Sequence, residues 1–305
     1  MDNGERKHTA PKGKVVYILS LCVLLVIMVF SAYKIVSISL EYSEAESEYD
    51  GIAESVVIDY VTVSVPARTD QQTTPVTDEQ SSAADTSADT DAISDTQTEI
   101  APDTGAPPQT EGETSTLVIP SVNSEYLERI NPDYCGWLYV DGTVINYPVV
   151  QCEDNEYYLD HTFYRKENAN GCLFIDYRNN RDGDNYNTLI YGHAMKTGAM
   201  FGTLSRYAWP DFYEKNKNII YVIDEGAYLI TIFSAYTVDT DSDAWRISFS
   251  GDDDYAELLS SIKAASEVKN PIRPTINDRI VTLTTCSFKF DDARFVAHGI
   301  IEPLF

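Results

Sequence analysis

The chain has 305 residues and carries 48 Asp and Glu against 22 Lys and Arg, a formal charge of −26. A surplus of that size excludes a general phosphate-backbone binder, whose affinity rests on clustered Lys and Arg. The charge is unevenly spread, and only part of the chain has the composition to bury a core.

The first 14 residues hold Arg6, Lys7, Lys12 and Lys14, and Val15 to Tyr33 then run for 19 residues without a charge. As a helix rising about 1.5 Å per residue, this run matches the roughly 30 Å of a bilayer's hydrocarbon. A cleaved signal peptide has a shorter apolar stretch and a small-x-small cleavage site, and "FSAYK" is a poor one. We expect an uncleaved anchor over 15–33, with residues 1–14 as a basic cytoplasmic segment and everything after the span outside the cell. From Glu41 to Thr116 there are 18 acidic residues against the single Arg68. Residues 34–64 keep spaced apolar positions and are expected to continue the helix outward. Residues 65–116, rich in Ser, Thr, Asp and Pro, are too poor in apolar side chains to offset the entropy of ordering and read as a flexible acidic linker.

Residues 117–305 hold all three tryptophans and form a domain of ordinary size. Its four cysteines, Cys135, Cys152, Cys172 and Cys286, show no C-x-x-C or Cys/His spacing, so no metal is expected. Whether Cys135, Cys152 and Cys172 include a disulfide or are small buried hydrophobes stays open. In chain order, Val122, Tyr126 and Ile130 predict a short helix stopped at Asn131-Pro132. "GWLYVDGTVINYPVVQ" predicts a hairpin about Asp141-Gly142. "NEYYLDHTF" and "NGCLFIDYRN" continue in β manner, and "YNTLIYGHAM" is a strand breaking at Gly192. "FGTLSRYAWPDFYEKN" has helical spacing, "IIYVIDEGAYLITIFSAYTVD" a second hairpin, and residues 252–268 the clearest helix, with Tyr255, Leu258, Leu259 and Ile262 on one face. "RIVTLTTC" and "RFVAHGII" are the last strands. Many short strands and few helices predict a mainly β domain closed as a barrel.

In the penultimate strand Ile280, Thr282, Thr284 and Cys286 share one face, and in the last Arg294, Val296 and His298 do. Pairing of the two as a hairpin sets Arg294 beside Cys286, where a cation lowers a thiol's pKa or steadies an oxyanion. Cysteine acyl chemistry also needs a proton shuttle, and the domain offers His161, His193 and His298. His193, at a strand end behind Gly192, is the best placed. His298 lies four residues from Arg294, about 13 Å along a strand, and His161 reads as a surface or supporting residue.

The segments "INPDYCGWLYVDGTVINYPVVQCEDNEYYL", "GCLFIDYRN", "NTLIYGHAMKTGAMFGTL" and "TLTTCSFKFDDAR" resemble the class B sortases, membrane-anchored cysteine transpeptidases of Gram-positive bacteria. The resemblance covers nearly all of residues 117–301, and it implies an eight-stranded sortase-type β-barrel with a helix between strands six and seven. Carried over position by position, it implies Cys286 as nucleophile, His193 as proton shuttle and Arg294 as the stabilising cation. Substrate contacts would fall on Asn155, Leu159, Tyr191 and Thr284. The implied reaction cleaves a C-terminal sorting signal after Thr through a thioacyl enzyme, then passes the exported protein to an amine of peptidoglycan or its lipid-linked precursor. No cofactor is implied. Ser287, where relatives often carry an acidic residue, leaves the motif open between NPQTN-like and PxTG-like. The rival readings are a cysteine peptidase or amidase that hydrolyses instead, and a non-catalytic adhesin or pilin. The chain's C-terminus, "HGIIEPLF", lacks the sorting signal that an adhesin or pilin would carry.

Overall fold

The computed structural model describes residues 12–66, 114–181, 184–224, 226–286 and 293–305. Residues 1–11 of the expected cytoplasmic segment, most of the expected linker, and Ser287 lie outside them. One helix, α1 (Lys12–Val56), joins two unlike sequences end to end. From Val16 onward its apolar side chains are exposed all round, and the helix is long and apolar enough to cross a membrane. Farther along, Ala45, Tyr49, Ile52 and Val56, spaced four, three and four apart, are buried on one face against the body of the protein.

The helix expected over residues 34–64 stops at Val56. Strand β1 (Val57–Pro66) follows directly and pairs antiparallel with β2 (Thr114–Val122), with Pro66 opposite Thr114. The run "VIDYVTVSVP" is dense in β-branched residues, which favour a pleated strand over a helix. The acidic stretch between Pro66 and Thr114 is therefore the connection of a hairpin, and the edges expected at 65 and 116 belong to its strands.

Helix α2 (Ser124–Ile130) is capped by Asn123, whose side chain accepts from the Tyr126 N–H at 3.1 Å. Eight strands then close a barrel: β3 (Tyr134–Tyr139), β4 (Asn146–Val150), β5 (Leu173–Ile175), β6 (Asn187–Tyr191), β7 (Asn218–Ile223), β8 (Gly226–Val238), β9 (Arg279–Cys286) and β10 (Arg294–Pro303). Their order around the barrel is β10, β8, β7, β3, β4, β5, β6, β9. Both predicted hairpins, β3–β4 and β7–β8, form as antiparallel pairs. Gly142 takes φ +69° in the first, where a left-handed residue is needed.

Further segments differ from expectation, and the helix expected over residues 252–268 ends at Ala264. "NEYYLDHTF" makes no strand: Asp154 Oδ1 accepts the N–H groups of Glu156 and Tyr157 at 2.9 and 2.8 Å and folds Tyr157–Leu159 into a 3-10 turn. A side-chain acceptor that captures backbone donors competes with a strand ladder in this way. The helical run after Gly202 is split into a 3-10 turn (Leu204–Ala208) and α3 (Pro210–Asn216), because Trp209, ahead of a proline, is held extended.

The barrel interior is filled by Trp137, Val149, Leu173, Ile190, Ile232, Leu283 and Phe295 among others. A second core lies outside the sheet. Helix α4 (Asp252–Ala264), between the sixth and seventh barrel strands, lays Tyr255, Leu258, Leu259 and Ile262 over Phe233, Ile280, Val296 and Ile300. Each such large side chain contributes about 1.5–3 kcal/mol on burial. One face of β9 and β10 thus packs inward and the other under α4, as their alternation requires.

Candidate active site

Strands β9 and β10 pair antiparallel from Arg279 opposite Ile301 to Cys286 opposite Arg294. Cys286 is the last residue of β9 and Arg294 the first of β10, so the hairpin's final rung joins them. Directly opposite residues bring their Cβ atoms to about 5 Å. Arg294 is half-buried, and its Nη1 donates to the Ala293 carbonyl at 3.2 Å.

On the other side β9 pairs in parallel with β6, Tyr191 opposite Thr284, and the Gly192 N–H donates to the Thr284 carbonyl at 3.2 Å. The chain leaves β6 at the same end of the sheet where β9 reaches Cys286, and the second residue out is His193. Gly192 is required there: a Cβ would lie 2.4 Å from Leu173 Cδ2 and 2.7 Å from Phe201 Cδ2. His193 is half-buried and fixed at both ends, its carbonyl accepting from Phe201 N at 2.9 Å and its Nε2 donating to the Leu159 carbonyl at 2.6 Å. A carbonyl can only accept, so Nε2 carries a proton and Nδ1 is the nitrogen left to exchange one.

Of the four expected substrate contacts, Tyr191 and Thr284 face each other across β6 and β9, and Leu159 meets His193 through its carbonyl. Thr284 is buried, and its hydroxyl has no hydrogen-bond partner among the described residues. Tyr191 stacks on Phe174 at 5.1 Å and donates its hydroxyl to Asp176 Oδ2 at 3.0 Å. Leu159 is 43% exposed, and Asn155 holds the chain after β5 by accepting from Tyr177 N at 3.0 Å. Of the other histidines, His161 braces the turn that carries Leu159. His298 is sealed in the second core: Tyr236 donates to its Nε2 at 3.3 Å, and its Nδ1 donates to Thr282 Oγ1 at 2.8 Å. Thr282 in turn donates to Asn187 Oδ1 at 2.7 Å. Burial pulls the His298 pKa down to about 3, so it stays neutral and out of reach of the final rung.

A profile of the Sortase domain matches residues 138–301. Sortase B of Staphylococcus aureus is 38% identical over 168 residues, which cover 55% of this chain and 69% of that protein. Sortase B of Listeria monocytogenes is 34% identical over 175 residues, covering 57% and 71%. This chain belongs to the sortase family. The barrel superimposes on the Staphylococcus aureus sortase B–substrate complex with a TM-score of 0.57 and 36% identity, covering 60% of this chain and 85% of that one. The chain is a sortase of the B type, and sortases are cysteine transpeptidases that anchor surface proteins to the cell wall. The adhesin reading falls with that assignment.

In this sortase the segment "FIDYRN" holds a device that the sequence did not single out. Asp176 is buried and takes two bonds from the Arg178 guanidinium, at 2.9 and 2.7 Å, besides the Tyr191 hydroxyl. Burial opposes its ionisation, but the bonds from Arg178 and Tyr191 outweigh it and hold its pKa below the usual carboxylate range. Burial, then the Asp176 charge, pushes the Tyr191 phenol well above its ordinary value, so Tyr191 remains a neutral donor. An acid and an arginine two residues apart inside an otherwise apolar strand end was the available signal. Cys135, Cys152 and Cys172 are free thiols, and burial pushes Cys135 and Cys172 up to about 12, which makes them inert fillers rather than rivals of Cys286.

Proposed function

We propose that Cys286 is the nucleophile, His193 the proton shuttle and Arg294 the stabilising cation of a sorting transpeptidation. The thiolate of Cys286 attacks the carbonyl carbon of the Thr in a sorting signal, and negative charge develops on its oxygen, opposite which Arg294 stands. The C–N bond breaks as His193 gives its proton to the leaving amine, and a thioester remains. An incoming amine then attacks the thioester, yields its proton to His193, and expels the thiolate as the new amide forms. The observation that carries this reading is the closing rung of the β9–β10 hairpin, Cys286 opposite Arg294, with β6 delivering His193 to the same end of the sheet. Asn155, Leu159, Tyr191 and Thr284 would line the peptide's path.

The acceptor would be an amine of peptidoglycan or its lipid-linked precursor. Residues 15–33 would span the membrane once, with residues 1–14 cytoplasmic and the barrel outside. The test is incubation with NPQTN-type and PxTG-type peptides, with and without an amine acceptor, followed by mass analysis. We expect a thioacyl adduct on Cys286 that an amine converts to the aminolysis product, and no adduct with Cys286→Ala. Release of free acid alone, whatever amine is supplied, would instead establish the hydrolytic reading.

A further inference from the structure

We infer that His161 is a positioning residue that acts on His193 through the Leu159 carbonyl. The inference rests on the reading of His193 as the proton shuttle. The bond from His193 Nε2 to the Leu159 carbonyl, 2.6 Å long, decides which ring nitrogen is left to exchange a proton. A backbone carbonyl can do this only if its own turn is rigid, and Tyr157–Leu159 is one short 3-10 turn, closed at its start by Leu159 N donating to the Glu156 carbonyl at 3.0 Å. Short 3-10 pieces have poor hydrogen-bond geometry and need outside support.

That support comes from three sides. Asp154 gathers the N–H groups at the start of the turn. Tyr158 anchors the middle to the barrel, its hydroxyl donating to Asp133 Oδ2 at 2.7 Å and its carbonyl accepting from Cys172 N at 3.0 Å. The exit is held by His161, whose Nδ1 donates to the Tyr157 carbonyl at 2.9 Å and to Asp160 Oδ1 at 2.7 Å. Its ring stacks on Tyr157 with centroids 4.1 Å apart and planes 13° from parallel. His161 is itself tied down by a β-bridge to Glu167 and takes no direct part in the site. One N–H therefore clamps the two residues on either side of the Tyr158–Leu159 pair, and the carbonyl that orients His193 sits inside the clamp.

Two replacements separate the clamp from the stack. His161→Phe keeps a flat ring on Tyr157 but removes the donor, whereas His161→Asn places an amide N–H where Nδ1 stood and removes the ring. The assay is the first-order rate of thioacyl formation at saturating sorting peptide, measured on the full chain in detergent micelles, beside His193→Ala. We expect His161→Phe to slow acylation by about 10- to 100-fold, the range for a misplaced catalytic group, and His161→Asn to restore it to within about threefold of the parent. The fraction of Cys286 open to alkylation should stay at the parent's level in both variants, which separates a misplaced His193 from an unfolded domain. If His193→Ala is inactive while His161→Phe matches the parent, or while His161→Asn is as slow as His161→Phe, the inference is overturned and the catalytic assignment stands. If His193→Ala remains active, the catalytic assignment itself fails.

Discussion

His298 gives a prediction that tests burial, charge and function at once. In the folded protein its pKa is pulled down by burial from 6.5 to about 3. The unfolded chain takes up a proton at this residue below about pH 6.5. Between the two values the unfolded state binds more protons, so stability is fully present above about pH 6.5 and is lost progressively as pH falls toward 3. The slope is about 1.4 kcal/mol per pH unit, so lowering the pH from 7 to 5 removes about 2 kcal/mol through this residue alone. Urea unfolding of the full chain in detergent at pH 7 and 5, for the parent and His298→Asn, isolates that contribution from the carboxylates. The variant starts less stable, because Tyr236 and Thr282 lose their partner. Its deficit should nevertheless shrink by about 2 kcal/mol at pH 5. Transpeptidation at pH 7 should stay within a few-fold of the parent. A deficit that is the same at both pH values, or an activity loss as deep as that of His193→Ala, would refute the reasoning.

Arg294→Ala should lower kcat/KM for transpeptidation by about 100- to 1,000-fold, the cost of losing one oxyanion donor. Arg294→Lys should recover only part of it, since an ammonium lacks the planar fork; steady-state kinetics with a sorting peptide checks both. Tyr49 donates to the Gly171 carbonyl at 2.6 Å and accepts from Phe163 N at 3.2 Å in a buried site. Tyr49→Phe should therefore cost about 2–4 kcal/mol in urea unfolding, as two buried backbone groups lose their partner. Exchanging the 47 residues between Pro66 and Thr114 for Asn-Gly should stabilise the protein by about 2–3 kcal/mol through a smaller loop-closure cost, with acylation unchanged. A loss of acylation there would assign that segment a part in the reaction.

The features that were legible in the sequence are those written locally. The strand period in "RIVTLTTC" and "RFVAHGII" was enough to place Arg294 beside Cys286, and the Asp141-Gly142 and residue 252–268 signals gave the first hairpin and the covering helix, which ends at Ala264. What was missed depends on distant partners. Residues 57–64 were assigned to a helix and 65–66 to the linker because their mate, residues 114–122, lies across a long acidic stretch, and no local pattern announces such a pairing. The Tyr157–Leu159 turn was read as strand because its apolar spacing fits either form, and Asp154 decides the matter through hydrogen bonds. The bond from His193 to Leu159 spans 34 positions and is made by a main-chain carbonyl, which every residue possesses. Composition therefore carries no trace of it.

The continuity of α1 bears on how the enzyme reaches its substrates. The rod that is apolar enough to enter a bilayer is, without a break, the rod that buries Ala45, Tyr49, Ile52 and Val56 on the barrel. Ala45 lies only 12 positions, about 18 Å of helix, beyond Tyr33. With α1 as the anchor, the reaction centre works at a set standoff and bearing above the lipid instead of sweeping a volume on a leash. The acidic stretch joins Pro66 to Thr114, paired strand ends at the far end of the β1–β2 hairpin from α1, so the hold of α1 on the barrel does not depend on its length. Donor and acceptor must both present themselves at that one level.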